Sequence, residues 1–334
     1  MRIVFFGSPE YAVPSLRRCL ALPDVEVVAV VTQPDRARGR SGKLLATPVK
    51  ELAVEAGVPV ILQPERVRRE TTEELRALSP DVGVVAASGH ILPNHLLEMF
   101  PHGVVNVHAS LLPRHRGASA VAASIFDGDA ESGATIMRVV REVDAGPVLG
   151  QVRTPIGVLD TTETLTERIS ELGAELLAEV LPRWVAGEIE AVEQDESEVT
   201  HAPRLAKGDG VIDWSQSSEE IGRRVRAFQP WPLATTLYGG ERFTVHEAWP
   251  LAEFTSDAAP GSVVPFTSDA PPGTVVAGDG TELSPLLGDR VARAVVVCGS
   301  GGLALLRVQR AGRQAQAIEV YLNGDRELVG SVLG

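Results

Sequence analysis

Five short apolar runs recur through the first half of the chain, and each is closed by a polar or glycine-containing turn. Arg2 to Phe6 is the first, and Val27 to Thr32 is unbroken and rich in β-branched residues. Val58 to Leu62, Val82 to Ala87 and Val104 to His108 repeat the theme. Continuous runs of this length suit strands covered on both faces. Helical spacing of apolar residues fills the gaps around Pro48 to Ala56, Glu70 to Leu78 and Pro93 to Phe100. After the first run, Gly7-Ser8-Pro9 predicts a helix start, with Ser8 as the N-cap and Pro9 at the first helical position. The alternation predicts an α/β fold, a doubly wound, mainly parallel sheet. Sites in such sheets lie beyond the carboxyl ends of the strands.

The pattern changes further along. Asp160-Thr161-Thr162-Glu163 resembles a capping box and opens a helix with apolar Leu165, Ile169, Leu172, Leu176 and Val180. That helix is expected to fade near Pro182 or to continue kinked toward Gly187. The stretch "EQDESEVT" (Glu193 to Thr200) is polar throughout and reads as a linker. Beyond it come short β-rich segments punctuated by glycine: Phe243 to His246, Ser262 to Val264, Thr274 to Val276, Ala294 to Val297 and Ala304 to Val308. They predict a small β-barrel. The expected division is an α/β domain over residues 1–190, a linker over 191–206 and a C-terminal barrel over 207–334. A near-duplicate of twelve residues, "FTSDAAPGSVVP" then "FTSDAPPGTVVA" (Phe254 to Ala277), reads as a duplicated strand and turn in a surface loop, with no function assigned.

Composition narrows the possible partners. A chain of 334 residues, 44% hydrophobic and 22% charged, is long enough for two cores. Its apolar runs are too short to span a bilayer, and its first run ends in a turn too soon for a signal peptide. Only Cys19 and Cys298 are present, which argues against a disulfide framework and for the cytosol. A net charge of -13 argues against indiscriminate polyanion binding. One basic stretch stands out: Arg36, Arg38, Arg40 and Lys43 within "DRARGRSGK", opposed by Asp35. By itself such a run also fits a solvated loop.

Candidate chemistry is densest in "NVHASLLPRHRG" (Asn106 to Gly117). On a strand, residues two apart share a face, so Asn106 and His108 can reach one reacting centre. An imidazole relays protons near neutral pH, and an amide donates to a developing oxyanion without changing charge. Asp144, in a turn within "REVDAGPVLG", is a candidate third group to orient the imidazole. Taken alone, Asn-x-His also fits two structural turn residues. No G-x-G-x-x-G, Walker A or G-x-S-x-G pattern occurs, and the seven histidines lack zinc-ligand spacing, so no dinucleotide, nucleotide or metal cofactor is expected.

"NVHASLLPRHRGA" together with Asp144-Ala145-Gly146 resembles the core of the tetrahydrofolate-dependent formyltransferases. Three further segments resemble the methionyl-tRNA formyltransferases in order and spacing: Thr32 to Lys50, Ser132 to Leu149 and Ile212 to Pro232. The resemblance implies a formyltransferase fold with a C-terminal oligonucleotide-binding (OB-like) barrel, and transfer of a formyl group from 10-formyltetrahydrofolate to the α-amine of initiator methionyl-tRNA. It implies Asn106, His108 and Asp144 as catalytic residues, Ser110, Leu111, Leu112 and Pro113 as the folate-contacting segment, and Arg36, Arg38, Arg40 and Lys43 as the loop that grips tRNA. No metal, membrane or DNA is implied, and a monomer is expected. The chain departs from the family at His115, where Trp or Tyr is usual, and at Ala118 to Ala122, where A-A-P-I-Q is usual. It departs also at Ser88 and His90, where bulkier residues are usual. A sugar-amine formyltransferase is the alternative, although it has no use for the basic loop. A folate- or RNA-binding module without catalysis and a redox enzyme on the same fold fit less well.

Overall fold

A computed structural model of the chain describes residues 1–37, 44–265 and 292–334. It divides into two compact units. The first comprises Met1–Ser124, Ala130–Ile156 and Thr164–Arg204; the second comprises Ile125–Asp129, Gly157–Glu163 and Leu205–Gly334.

The first unit is built on a seven-stranded sheet. Its strands are β1 (Arg2–Gly7), β2 (Glu26–Val31), β5 (Ile61–Leu62), β6 (Val82–Ala86), β7 (Val104–His108), β8 (Glu131–Arg138) and β9 (Val148–Pro155), in the order β5-β2-β1-β6-β7-β8-β9. The first five are parallel, and β8 and β9 are antiparallel additions. A separate two-rung hairpin joins β3 (Arg36–Ala37) to β4 (Leu44–Leu45). Alternation along the strands feeds two apolar layers. Ile3, Phe5, Val105 and Val107 face one layer with residues of α1 (Val13–Ala21), α2 (Pro48–Glu55) and α6 (Thr162–Val185). Val4, Phe6 and Val104 face the other, with Leu75 of α3 (Arg69–Arg76) and Leu96 of α4 (Asn94–Leu97). Helices on both faces and a mainly parallel sheet match the fold class expected from the pattern.

Several local expectations are corrected. Ser8 does not cap a helix. A 3-10 turn at Glu10–Ala12 precedes α1, and the buried Ser8 hydroxyl instead donates to the Ser88 carbonyl (3.0 Å) and accepts from the Gln33 amide (3.0 Å). The run Val58 to Leu62 contributes only Ile61–Leu62 to the sheet, because Pro59 has no amide proton for a ladder. The helix expected over Pro93 to Phe100 is a single turn, closed by the short-range bond from the Met99 amide to the Leu96 carbonyl. By contrast, α6 runs through Pro182 to Val185.

The second unit holds an antiparallel sheet of β10 (Ala234–Tyr238), β11 (Glu241–Leu251), β12 (Val263–Pro265), β13 (Ala294–Val297) and β14 (Gly302–Arg310), in the order β10-β11-β14-β13-β12. A short β15 (Gln316–Ala317) also pairs with β14. Two helices not expected from the β-rich pattern pack on it, α7 (Ser218–Ala227) and α8 (Ile318–Gly324). A further helix, α5, spans Ala120–Asp127. The strand expected over Thr274 to Val276 and the second repeat copy, Phe266 to Ala277, lie outside the described residues. Among the described residues, no helix is long and apolar enough to cross a membrane.

Candidate active site

Strand β7 sets the site's geometry by alternation. Val105 and Val107 are fully sunk in one core, so Val104, Asn106 and His108 turn to the opposite face. Val104 is covered by the helices there, while Asn106 is half-buried and His108 retains 7% exposure. The strand thus begins in the core and ends in chemistry.

Bringing Asp144 to this point takes a fold-back. β8 runs opposite to β7, and its last residue, Arg138, lies beside Val105 and not beside His108. The segment after Arg138 must therefore return along the sheet. It does so tightly, since a Cβ at Gly146 would overlap the Arg138 carbonyl oxygen. Asp144 itself sits at φ +52°, in the left-handed region that an Asp tolerates better than most residues. Its Oδ2 accepts from the Gly117 amide at 2.9 Å and lies 3.6 Å from His108 Nδ1. The latter distance is an electrostatic approach and not yet a hydrogen bond.

The other imidazole nitrogen is fixed by the backbone. His108 Nε2 lies 3.1 Å from the carbonyl oxygen of His115, which can only accept, so Nε2 carries the proton and donates. Nδ1 is then the atom that gains or loses a proton, and it faces the carboxylate. An imidazolium formed here is flanked by a carbonyl dipole and a negative charge. His115 presents that carbonyl from φ +59° and is itself buried.

The segment Ser110 to Pro113 follows directly. Its polar groups are engaged internally: Ser110 Oγ donates to the Arg114 carbonyl (2.7 Å), the Leu112 amide to Thr135 Oγ1 (3.2 Å), and Gln151 Nε2 to the Leu112 carbonyl (2.7 Å). Ser110 and Leu112 are buried, whereas Leu111 and Pro113 are half-buried across a cis Leu112-Pro113 peptide. An apolar, rigid edge results. The loop after the neighbouring strand β6 adds a second apolar element, Ile91, which is 90% exposed. Ser88 and His90 hold that loop by a chain of contacts, Ser88 Oγ to His90 Nδ1 (3.1 Å) and His90 Nε2 to the Pro64 carbonyl (2.9 Å). Two apolar edges beyond adjacent strands fit the face of a planar aromatic ligand.

Arg36 is exposed at the base of the β3-β4 hairpin, whose ladder pairs it with Leu45 and leaves Leu44 and Leu45 open to solvent. Asp35, just before it, is clamped by Lys50 Nζ and Gln63 Nε2, both at 2.6 Å, and these hydrogen bonds hold its carboxyl below the usual carboxylate range. Arg38, Arg40 and Lys43 lie outside the described residues. The structure therefore brings Asn106, His108, Asp144 and Ser110 to Pro113 to one region.

Sequence reasoning missed an entire wall of this region. The polar stretch expected as a linker is packed into the first unit. The Thr200 carbonyl accepts from the Arg116 amide (2.9 Å), Thr200 Oγ1 accepts from the His115 amide (2.8 Å), and the Ala202 amide donates to the Arg116 carbonyl (2.8 Å). Gln194 Nε2 donates to the carbonyls of Asp144 (2.8 Å) and Gly146 (2.7 Å), and its Oε1 accepts from Arg116. No sequence signal marks this wall, because the burial of Arg116, whose guanidinium demands acidic or amide partners, shows only in the fold. Among the described residues, no group of three His, Cys, Asp or Glu side chains is arranged to hold a metal ion.

Comparison with known proteins gives the family. The family described as Formyl transferase matches residues 1–181, and the family described as Formyl transferase, C-terminal domain, matches residues 204–326. The methionyl-tRNA formyltransferase of Methylococcus capsulatus is 42% identical over 334 residues, all of both chains. That of Myxococcus xanthus is 43% identical over 99% of this chain and 97% of its own. Among solved structures, an N-formyltransferase from Helicobacter canadensis has a TM-score of 0.63 at 17% identity, covering 92% of this chain and 98% of its own. A sugar 3N-formyl transferase has a TM-score of 0.62 at 16% identity, over 94% and 99%. The structural likenesses speak to fold, the full-length identities to kinship. With its end-of-strand Asn and His, its returning Asp and its C-terminal unit, the chain belongs to the methionyl-tRNA formyltransferase family.

Proposed function

We propose that this protein transfers the formyl group of 10-formyltetrahydrofolate to the α-amine of methionine esterified to initiator tRNA, in the service of translation initiation. The observation that carries the reading is the convergence of Asn106, His108 and Asp144 at the end of β7, within a chain related over its full length to enzymes of that name. Leu111, Pro113 and Ile91 offer the apolar edges on which the folate lies. The amine attacks the formyl carbon, the proton it loses is passed through His108 to folate N10, the bond from that carbon to N10 breaks, and tetrahydrofolate leaves. Asn106 donates to the oxyanion. His108 takes the proton lost by the amine at Nδ1, and Asp144 stabilises the cation so formed. Removing an oxyanion donor of this kind costs about 3 to 4 kcal/mol in the transition state.

The basic stretch Arg36 to Lys43 supplies local affinity for tRNA on an otherwise acidic chain, with Arg40 its leading residue. We assign the antiparallel unit to RNA contact as an oligonucleotide-binding barrel, and formyl transfer to the α/β unit. The enzyme works as a monomer in the cytosol. Formyl transfer to Met-tRNA, compared with transfer to nucleotide amino sugars, tests the whole reading: efficient use of the sugars and none of the tRNA overturns it. In the same assay Arg40→Ala is expected to weaken use of Met-tRNA and to reduce the salt slope by about one unit for each phosphate that Arg40 neutralises. An equal loss toward a small amine acceptor would remove Arg40 from tRNA binding.

A further inference from the structure

We propose that Gln194 is a positioning residue for Asp144, and that the segment from Val192 to Ala202 is a strap that completes the active site. The inference rests on the formyl-transfer reading above.

Two strained loops flank the catalytic imidazole. Asp144 and His115 both hold left-handed backbone conformations, at φ +52° and +59°. Such conformations persist in non-glycine residues only where the surroundings over-determine them. Neither residue lies in a helix or strand that would do so. The strap supplies the constraint at both. Thr200 Oγ1 accepts from the His115 amide, and Gln194 donates both of its amide protons to the carbonyls on either side of Ala145.

The bridge extends to Arg116. Gln194 Oε1 accepts from Arg116 Nε (3.1 Å) and Nη2 (2.9 Å), and the same guanidinium reaches Glu196 through Nη2 (2.8 Å) and Nη1 (3.3 Å). Arg116 is buried, so its orientation is set, whereas Glu196 is largely exposed. A single amide therefore ties the loop carrying Asp144 to the loop carrying the His115 carbonyl, and those two groups flank the His108 ring. A glycine allows the strap to lie this close. Gly117 stands at φ +124°, and a Cβ there would come within 2.5 Å of the Ala202 carbonyl oxygen.

None of these groups reaches the reacting atoms in its own right. Their effect is on the 3.6 Å approach between His108 and Asp144, which must shorten for the pair to share a proton. An amide donating to two carbonyls of one turn fixes that turn against sliding. Gln194 acts on turnover through Asp144.

Gln194→Glu is the informative substitution. It keeps the shape and the acceptor toward Arg116, and it replaces the donors by an oxygen facing two carbonyls. With the full chain, kcat is expected to fall about tenfold to a hundredfold, the scale of a displaced catalytic group, with KM for folate and for acceptor nearly unchanged. In an Asp144→Asn background, the same substitution should cost less than about twofold, because residues acting through one another are not additive. Glu196→Gln, at the solvent end of the bridge, should lower kcat by no more than about threefold. Normal kcat, a loss confined to KM, or an additive loss in the double variant would overturn the proposal. An unfolded Gln194→Glu chain would do so as well, since the residue would then be a folding element. Ratios are read on whichever acceptor the wild-type chain uses. Absence of transfer to Met-tRNA by the wild type thus counts against the functional reading and leaves the test of the strap intact.

Discussion

Two aspartates in this chain are almost equally buried and are held in opposite ways. Asp144 in the first unit and Asp325 in the second keep side-chain exposures of 16% and 19%. Asp325 is saturated. Its Oδ1 accepts from Tyr238 (3.1 Å), and its Oδ2 accepts from Tyr321 (3.0 Å) and lies 3.4 Å from Arg310 Nη1. Arg310 is in turn held by Glu241 and lies over the Tyr238 ring. Asp144 accepts one bond from the Gly117 amide (2.9 Å) and faces an imidazole at 3.6 Å from a strained backbone. Burial alone does not separate a structural carboxylate from a working one. What separates them is capacity left over. A charge whose neighbours have already satisfied it holds the fold, and one that faces an imidazole nitrogen beyond bonding distance can take part in a reaction.

The widest gap between the two should appear in turnover. His108→Ala and Asp144→Asn are each expected to lower kcat by at least about a hundredfold, whereas Asp325→Asn should stay within about twofold of wild type. Steady-state kinetics on the folded variants decides this, and a large kcat loss in Asp325→Asn would dissolve the contrast. Next comes Gly117→Ala, which changes no other residue but forces the strap away and moves the amide that holds Asp144. We expect a kcat loss of about tenfold or more with little change in substrate affinity. Stability should order the two aspartates the other way. Asp325→Ala leaves two phenols short of an acceptor and should cost about 1 to 3 kcal/mol in denaturant unfolding, more than Asp144→Asn costs. A difference reversed in sign would mean that Asp144 also carries the fold.

The faintest effect lies at high pH. Burial, then the hydrogen bond to Asp325, pushes the Tyr321 phenol up from 10.0 to about 12. A group whose pKa is raised by folding contributes stability below its unfolded value, and that contribution fades as pH rises toward the folded value. Unfolding followed between about pH 10 and 12 should therefore show a decline that Tyr321→Phe flattens. An unchanged slope would show that the phenol is not protected by the cluster.

Much of this is readable from residue patterns, and the reasons for the rest are specific. Alternation along Val104 to His108 puts Asn106 and His108 on one face because strand periodicity is strict. The mainly parallel sheet follows from unbroken apolar runs. Asp144 is a candidate from its turn, but nothing in the sequence alone shows that β8 runs antiparallel and that its loop must return to β7. Ser8 resembles a helix cap, yet tertiary partners at Ser88 and Gln33 claim its hydroxyl. The Ser217-to-Glu220 capping box that opens α7 is legible, but a single short helix is easily lost among the β-rich segments that follow it. Gln194 is beyond reach, since a polar stretch without periodicity reads alike whether it is solvated or hydrogen-bonded to a core.

The strap has a consequence for anyone recombining chains of this kind. The two matched family regions end at 181 and resume at 204, and the strap lies wholly in the interval between them. A crossover point chosen in that interval, where neither region gives guidance, would hand one parent's Gln194 to another parent's Asp144 loop. Chimeras joined after Arg204 inherit the brace and the loops it holds from a single ancestor. Those joined near residue 190 test, at every exchange, whether two lineages have kept the same knot.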